Sequence, residues 1–296
     1  STPFWICSDI TRPRRPAPLM ISGDVTQLLP PALVYGLAGL LGLTLGSFYT
    51  ALASRILHFY YGPGRKTARR MNFARRWWRI CTQPSHCMAC GTNITGVALT
   101  PILGYALSGG RCRSCGTAIG RLTLLGEAFP GVLLPLLIYA GYPLGAALLY
   151  AILAGQLYIA LVTDWSFFLL DHENALWLLA WAVPAVIMET PGGHGQQMTH
   201  PRTASEALLV FLALVFGSRM RGFAFGDVVL GGILAFAVGH PWALLLFQLA
   251  AAGALAHIFL IQRDRRAPAP LGAFFVLAFY VALLAAALWR IYSAPF

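Results

Sequence analysis

Long apolar runs separated by short polar breaks make up most of the chain after its first 29 residues. A bilayer core is crossed by a helix of about 20 predominantly apolar residues, and the runs predict about eight such helices. We place them at about 31–57, 123–141, 143–163, 174–189, 204–219, 227–240, 242–262 and 270–293. The predicted fold class is therefore an all-α polytopic membrane protein.

Residues 58–122 interrupt this apolar pattern. They contain ten basic residues and no Asp or Glu, and cytoplasmic loops of membrane proteins are enriched in Lys and Arg. The sequence thus predicts a polar leader (1–29), a first transmembrane helix (30–57), a basic cytoplasmic domain (58–122) and a seven-helix membrane domain (123–296). Because the leader has no apolar core, we expect no cleavable signal peptide and a first helix that stays in the membrane.

The composition supports a membrane protein and argues against a nucleic-acid partner. Of the 296 residues, 58% are hydrophobic and only 10% are charged, whereas about 25% are charged in a soluble domain. The net charge of +11 would suit nucleic-acid binding if the chain were soluble. Alternating the predicted helices from a cytoplasmic basic domain instead puts 16 of the 21 basic residues on the cytoplasmic side. Membrane topology therefore explains the charge, and the predicted partner is the lipid bilayer.

Four cysteines in the basic domain form two C-x-x-C pairs. Cys87 and Cys90 are followed, after 21 intervening residues, by Cys112 and Cys115. Two such pairs at this separation supply the four thiolates of a tetrahedral structural Zn²⁺ site, as in a zinc-ribbon-like loop domain. The alternative is a pair of disulfides or redox-active thiols, which a cytoplasmic location disfavours. A zinc ion with four cysteine ligands has no open position for substrate, so its predicted role is to fold the domain.

Asp164 and Asp227 are the candidate catalytic residues. Each lies where a polar break meets an apolar run, and the predicted topology places both at cytoplasmic helix ends. A carboxylate entering hydrocarbon costs about 2.5–3.5 kcal/mol, and two adjacent carboxyl groups can divide the acid and base roles of hydrolysis. The alternative for Asp227 is an N-cap, because it follows a glycine where a helix begins. For Asp171, His172 and Glu173, capping or a solvated loop is favoured.

Short motifs follow one another along the chain from about residue 39 to 240. They are Gly46-Ser47-Phe48 with Arg55, the segment Cys87 to Cys115 with Pro101-Ile102-Leu103 inside it and Glu127 after it, Thr163-Asp164, and Ala224-Phe225-Gly226-Asp227. Together they resemble one family, the bacterial type IV prepilin peptidases, which are integral-membrane aspartic proteases of the GxGD type. Ala224 stands where that family has the first glycine of GxGD, and Val229 stands where it has a lysine. Leu169-Leu170-Asp171 replaces the family's Leu-Pro-Asp.

The resemblance implies an aspartic endopeptidase of the bacterial inner (cytoplasmic) membrane, with its active site and loop domain cytoplasmic. Such an enzyme removes the basic leader from the N-terminal segments of prepilins or pseudopilins. The resemblance also implies S-adenosylmethionine as a cofactor if N-methylation of the new terminus is retained. Two other functions stay open: a catalytically inactive scaffold for pilus or secretion assembly, and an ion-coupled transporter. The transporter is disfavoured because both aspartates lie at helix edges and the two halves of the sequence do not repeat each other.

Overall fold

The computed structural model describes five stretches of the chain: 29–62, 64–170, 172–189, 225–262 and 269–293, with the side chains of Arg69 and His172 excepted. Two predictions fall outside these stretches, namely the polar leader apart from Leu29 and the transmembrane helix at about 204–219. The described residues are predominantly helical, and their two isolated β-bridges lie in the basic domain.

Ten α-helices are described. They are α1 (Pro31–Ile56), α2 (Arg65–Arg69), α3 (Phe73–Thr82), α4 (Leu103–Leu107), α5 (Leu122–Tyr139), α6 (Leu144–Phe167), α7 (His172–Glu189), α8 (Phe225–Val238), α9 (Trp242–Ala256) and α10 (Leu271–Ser293). π-helical turns continue α1 over Leu57–Tyr61 and α9 over His257–Gln262, and a short 3₁₀ helix covers Gly96–Leu99.

Local sequence explains where two of the long helices begin and end. α1 starts at Pro31, whose fixed φ suits the first position of a helix and whose missing N–H would have no partner there. Phe168 ends α6 in a left-handed conformation and donates its N–H to the Asp164 carbonyl (2.9 Å). α6 therefore continues through Phe167, and the prediction that this helix stops at 163 is wrong by about one turn. The extra turn places Asp164 inside the helix rather than after it.

Five of the described helices are long and apolar enough to cross a membrane. They are Pro31–Tyr61, Leu122–Tyr139, Leu144–Phe167, Trp242–Gln262 and Leu271–Ser293. Two further predicted spans are helical but differ from this group. α7 has 18 residues and opens with three polar side chains, whereas α8 is apolar but has only 14 residues. The described residues thus support a membrane protein with five candidate spans, and the predicted number of eight is not confirmed.

α1 and α5 pack through a seam of glycines. A Cβ atom built on Gly42 would lie 2.2 Å from the Pro130 carbonyl oxygen, and one built on Gly46 would lie 2.6 Å from the Glu127 carbonyl oxygen. Membrane helices pack closely where small residues let their backbones meet. We call this contact the glycine seam, and it fixes α5 directly against the first span.

α6 is the central helix, and the bundle around it has two distinct ends. At the end that carries the basic domain, the ring of Tyr61 stacks on Phe167, with ring centroids 4.7 Å apart. At the opposite end, Tyr150 Oη donates to the buried Glu189, which also pairs with Arg290. We call these the domain end and the far end. Both sequence candidates, Asp164 and Asp227, lie on helix turns at the domain end.

α3 attaches the basic domain to the first span. Its start is capped by Asn72, whose side chain accepts the Arg75 N–H (3.0 Å). At its other end, Arg55 Nη1 donates to the carbonyls of Ile80 (3.1 Å) and Cys81 (2.9 Å), which satisfies acceptors that a helix end leaves free. Because Ile80 is fully buried, α3 is packed against the bundle and anchors the basic domain to it.

Candidate active site and metal site

Asp164 is held against the start of α10. Its residue is 4% exposed, and its Oδ2 accepts the backbone N–H of Ala273 at 2.8 Å. Ala273 lies in the first turn of α10, where N–H groups lack helical partners and the helix dipole favours negative charge. A buried carboxylate without such a donor would be costly, so this contact explains how Asp164 is tolerated inside the bundle.

Asp227 lies in the first turn of α8 and is also buried, with 8% of its surface exposed. Leu170 connects the two aspartate segments. A Cβ built on Gly226 would lie 3.0 Å from Leu170 Cβ, and one built on Gly272 would lie 2.8 Å from Leu170 Cδ1 and 3.1 Å from Asp164 Oδ2. The Leu170 side chain therefore packs against Gly226, which precedes Asp227 in the sequence, and against Gly272, which lies next to Asp164 in space.

Both candidate residues are thus buried at the domain end with Leu170 between their segments, and their catalytic role stays a prediction. Asp227 is the third residue of α8, inside the helix. A pair of buried acidic side chains at one end of a bundle is the arrangement that two-carboxylate hydrolysis needs.

The four predicted cysteine ligands come together in the basic domain. All four Sγ atoms lie within 4.8 Å of one another, with 3.8 Å between those of Cys87 and Cys115 and 3.9 Å between those of Cys90 and Cys112. Tetrahedral Zn²⁺ with Zn–S bonds of about 2.3 Å separates its sulfurs by about 3.8 Å. A disulfide would require about 2.05 Å, so the described cysteines fit a metal and are not paired as disulfides.

The cysteine cluster is built from two copies of one turn, offset by 25 residues. In the first, the Cys87 N–H donates to the Thr92 carbonyl (2.9 Å); in the second, the Cys112 N–H donates to the Thr117 carbonyl (2.9 Å). In each copy the glycine after the second cysteine has a positive φ, +73° and +71° respectively. Only glycine adopts that conformation without strain, which explains why a glycine follows each pair.

A threonine in each copy stabilises the thiolate form of a cysteine. Hydrogen bonds with the side chain and backbone of Thr117 lower the pKa of Cys115 to about 6, and those with Thr92 lower the pKa of Cys90. The Sγ–Oγ1 distances are 3.2 Å and 3.3 Å. Since the thiolate is the metal ligand, both threonines favour metal binding. The repeated Cys-Gly-Thr in the sequence was the signal for this role, and the prediction of the metal site used only its cysteines.

Comparisons with known proteins give two matches. The model of the family described as "Bacterial Peptidase A24 N-terminal domain" matches residues 40–140. The protein "Prepilin leader peptidase/N-methyltransferase" of Bacillus subtilis (strain 168) is 26% identical over 202 residues, which cover 67% of this chain and 71% of the relative. These matches confirm the resemblance to prepilin peptidases. No solved structure matches the chain.

The match to the family model bears on the two candidate sites differently. Its range, 40–140, contains the glycine seam, the four cysteines and all of α5, but it ends before Asp164 and Asp227. The family assignment of the metal-binding region therefore has direct support from the match. The roles of the two aspartates are argued from geometry and from the motifs.

Glu173 is placed differently from the sequence expectation of a cap or solvated loop. Its Oε2 accepts from Tyr60 Oη (2.9 Å), and its Oε1 pairs with Arg76 Nη2 at 3.1 Å. The prediction is corrected because Glu173 joins α7 to α3 and to the π-helical turn after α1. Two other residues, Asp171 and Ala224, lie outside the described residues.

Proposed function

We propose that the chain is a membrane aspartic endopeptidase in which Asp164 and Asp227 share the chemistry. The observation that carries the proposal is the burial of both carboxyl groups at the domain end of the bundle, where Leu170 packs against the glycine next to each of them. Two adjacent carboxyl groups do not readily ionise together, so the pair holds one proton between them. The matches to prepilin peptidases support a peptide bond as the target.

Asp164 is the ionised partner in this proposal, because it accepts the Ala273 N–H at the start of α10. It takes a proton from a water molecule as the water oxygen attacks the scissile carbonyl carbon. Asp227 gives its proton to the carbonyl oxygen, which becomes a hydroxyl group. When the C–N bond then breaks, the leaving nitrogen takes the proton from Asp164, and Asp227 regains one from the hydroxyl. The pair returns to its starting state.

The proposed substrates are the N-terminal segments of prepilins or pseudopilins, cut at the cytoplasmic face of a bacterial inner membrane. The name of the Bacillus subtilis relative supports the substrate class. The ten basic residues of residues 58–122 support the cytoplasmic side, because the domain that holds them is attached at the same end as both aspartates.

The proposed metal is a structural Zn²⁺ held by Cys87, Cys90, Cys112 and Cys115. Their sulfur separations and the lowered pKa of Cys115 support this assignment. When bound, Zn²⁺ supplies a rigid cross-link between the two copies of the turn and leaves no open coordination position. Thr92 and Thr117 favour the thiolate forms of Cys90 and Cys115 by hydrogen bonding to their sulfurs.

A second proposed activity is N-methylation of the newly exposed terminus with S-adenosylmethionine. The name of the Bacillus subtilis relative, which includes N-methyltransferase, supports it. The measurement is the mass of the cleaved product after incubation with and without S-adenosylmethionine. A product heavier by one methyl group only in its presence supports the activity, and an unchanged mass in a cleaving preparation refutes it.

The decisive experiment is cleavage of a co-expressed prepilin by the wild type and by Asp164→Asn and Asp227→Asn, normalised to folded protein. Removing either half of the acid–base pair should lower cleavage at least about 10³-fold. Glu189→Gln is the matched control, since it removes a buried carboxylate at the far end and should leave cleavage by the folded protein within about twofold.

The outcomes separate the peptidase from the scaffold. If both aspartate variants are folded and cleave as well as the wild type, the two-carboxylate mechanism is wrong. If instead the wild type does not cleave and pilus or secretion assembly still proceeds normally, the inactive scaffold is the better description.

A further inference from the structure

Glu127 on α5 makes a contact that the peptidase proposal does not use. Its Oε2 accepts the backbone N–H of Ile102 at 2.7 Å, and Ser47 on α1 also hydrogen-bonds to the same carboxyl group. Ile102 lies between the two cysteine pairs, in the basic domain. A carboxylate inside a candidate membrane helix thus reaches out to the metal-binding region.

The backbone at Ile102 is strained. Its φ of +61° and ψ of −50° lie near the rare γ-turn conformation, and the Leu103 N–H donates to the Pro101 carbonyl across it. A positive φ is a marked outlier for a β-branched residue. Such strain persists only where the surroundings enforce it. The short, charge-assisted bond from Glu127 is the contact that enforces it here.

The strained turn leads directly to the cysteine cluster. It begins α4, in which Gly104 packs so closely that a Cβ there would lie 2.3 Å from the Ala98 carbonyl oxygen. The side chain of Tyr105 donates to the Ile119 carbonyl (3.5 Å), and its own carbonyl accepts the Gly110 N–H (2.9 Å). Gly110 and Ile119 flank the second cysteine pair, Cys112 and Cys115. A continuous set of contacts therefore runs from Glu127 to the metal-binding turns.

The helix that carries Glu127 cannot easily shift, because the glycine seam meets α5 at this residue. A Cβ on Gly46 would lie 2.6 Å from the Glu127 carbonyl oxygen. Glu127 is thus a fixed point on the bundle, while Ile102 belongs to a domain that is also attached through α3 and through the π-helical turn with Tyr60 and Tyr61. We propose that Glu127 is a positioning residue that locks the cysteine cluster onto the first two membrane helices by holding Ile102 in its strained turn.

Hydrogen exchange tests this role without substrate, in the full zinc-loaded protein in lipid nanodiscs. Glu127→Ala should speed exchange of the Ile102 amide by at least about tenfold, because one charge-assisted hydrogen bond is lost. Glu127→Gln keeps an acceptor oxygen and should give a smaller increase. Glu173→Gln is the matched control: it breaks the carboxylate contact to α3 and should leave exchange at Ile102 unchanged. Zinc content should stay at the wild-type value in all three.

A double-mutant comparison distinguishes locking of a strained turn from general loosening. Ile102→Gly removes the strain, since glycine adopts a positive φ freely. In that background Glu127→Ala should speed exchange of the Gly104 amide, which donates to the Thr100 carbonyl beside the turn, at least about threefold less than it does with Ile102 present. Equal increases in the two backgrounds, or no increase in either, would overturn the proposal.

A kinetic measurement extends the test and rests on the proposed peptidase function. Glu127 contacts neither aspartate in the described structure. A displaced domain should therefore raise the KM for a full-length prepilin several-fold and change kcat by less than about twofold. A fall in kcat with unchanged KM would contradict positioning. If the wild type does not cleave at all, the peptidase proposal fails while the exchange result still decides the role of Glu127.

Discussion

Gly272 offers a direct test of how the Asp164 carboxyl group is placed. This residue lies in the first turn of α10, without a positive φ, so alanine fits its backbone conformation. The added methyl group would lie 3.1 Å from Asp164 Oδ2 and 2.8 Å from Leu170 Cδ1. Ordinary contacts begin at 3.4 Å, so Asp164 must move by about 0.3 Å and Leu170 by about 0.6 Å.

Movements of this size approach or exceed the displacement of about 0.5 Å that a catalytic group tolerates. We expect Gly272→Ala to lower kcat for prepilin cleavage by about 3- to 30-fold, since a 1 Å misplacement can cost about 10²-fold. Gly272→Val should lower it further, because its branched side chain crowds the same oxygen. The free energy of unfolding should fall by only about 1–3 kcal/mol.

The assay is the rate of prepilin cleavage under single-turnover conditions, with the folded fraction measured in parallel. Gly36→Ala is the matched control, because a Cβ there has nothing within 4 Å. Gly36→Ala should cleave at the wild-type rate. If Gly272→Ala also cleaves at that rate, then either the site relaxes freely around the added methyl group or Asp164 is not the base. The mechanism would then have to be reassigned.

Three further predictions concern the seam and the metal. Gly46→Ala should lower the free energy of unfolding by about 1–3 kcal/mol in thermal unfolding, because its Cβ would meet backbone atoms at 2.6 Å. Gly36→Ala should be neutral, because its Cβ meets nothing within 4 Å. Equal effects of the two substitutions would contradict the seam. Cys112→Ser should abolish stoichiometric zinc binding measured by mass spectrometry and should make residues 83–119 sensitive to protease; retained zinc would exclude the four-cysteine site. The pKa of Cys115 is lowered from 9 to about 6, so its stabilising contribution to the metal-free fold is complete above pH 9 and is lost as the pH falls through about 6. Thr117→Val should raise that pKa and move zinc release to higher pH, and an unchanged release curve would refute the role of the threonine.

The sequence predicted the features that depend on composition or on fixed spacing. The cysteine cluster follows from two C-x-x-C pairs, because their ligand geometry is local. The shared end of Asp164 and Asp227 follows from counting apolar runs, since antiparallel helices alternate their ends. The helices themselves follow from the apolar runs, although α6 is longer than predicted because a left-handed Phe168 sets its end.

The sequence pattern did not predict which distant segments contact each other. Nothing in the pattern links Leu170 to Gly226 and Gly272, or Glu173 to Tyr60, because each contact depends on how separate helices pack. The bond from Glu127 to Ile102 is of the same kind. Both residues were already part of the matched motifs, but a motif records only which side chains are present and not which backbone group they touch.

The glycine seam also limits how anything can approach the aspartates from within the membrane. A helix arriving sideways through the lipid would have to part α1 from α5, whose backbones already meet at Gly42 and Gly46. The seam therefore leaves no gap between α1 and α5 at Gly42 and Gly46. If the substrate reaches the aspartates while still embedded in the bilayer, it must enter between helices other than α1 and α5.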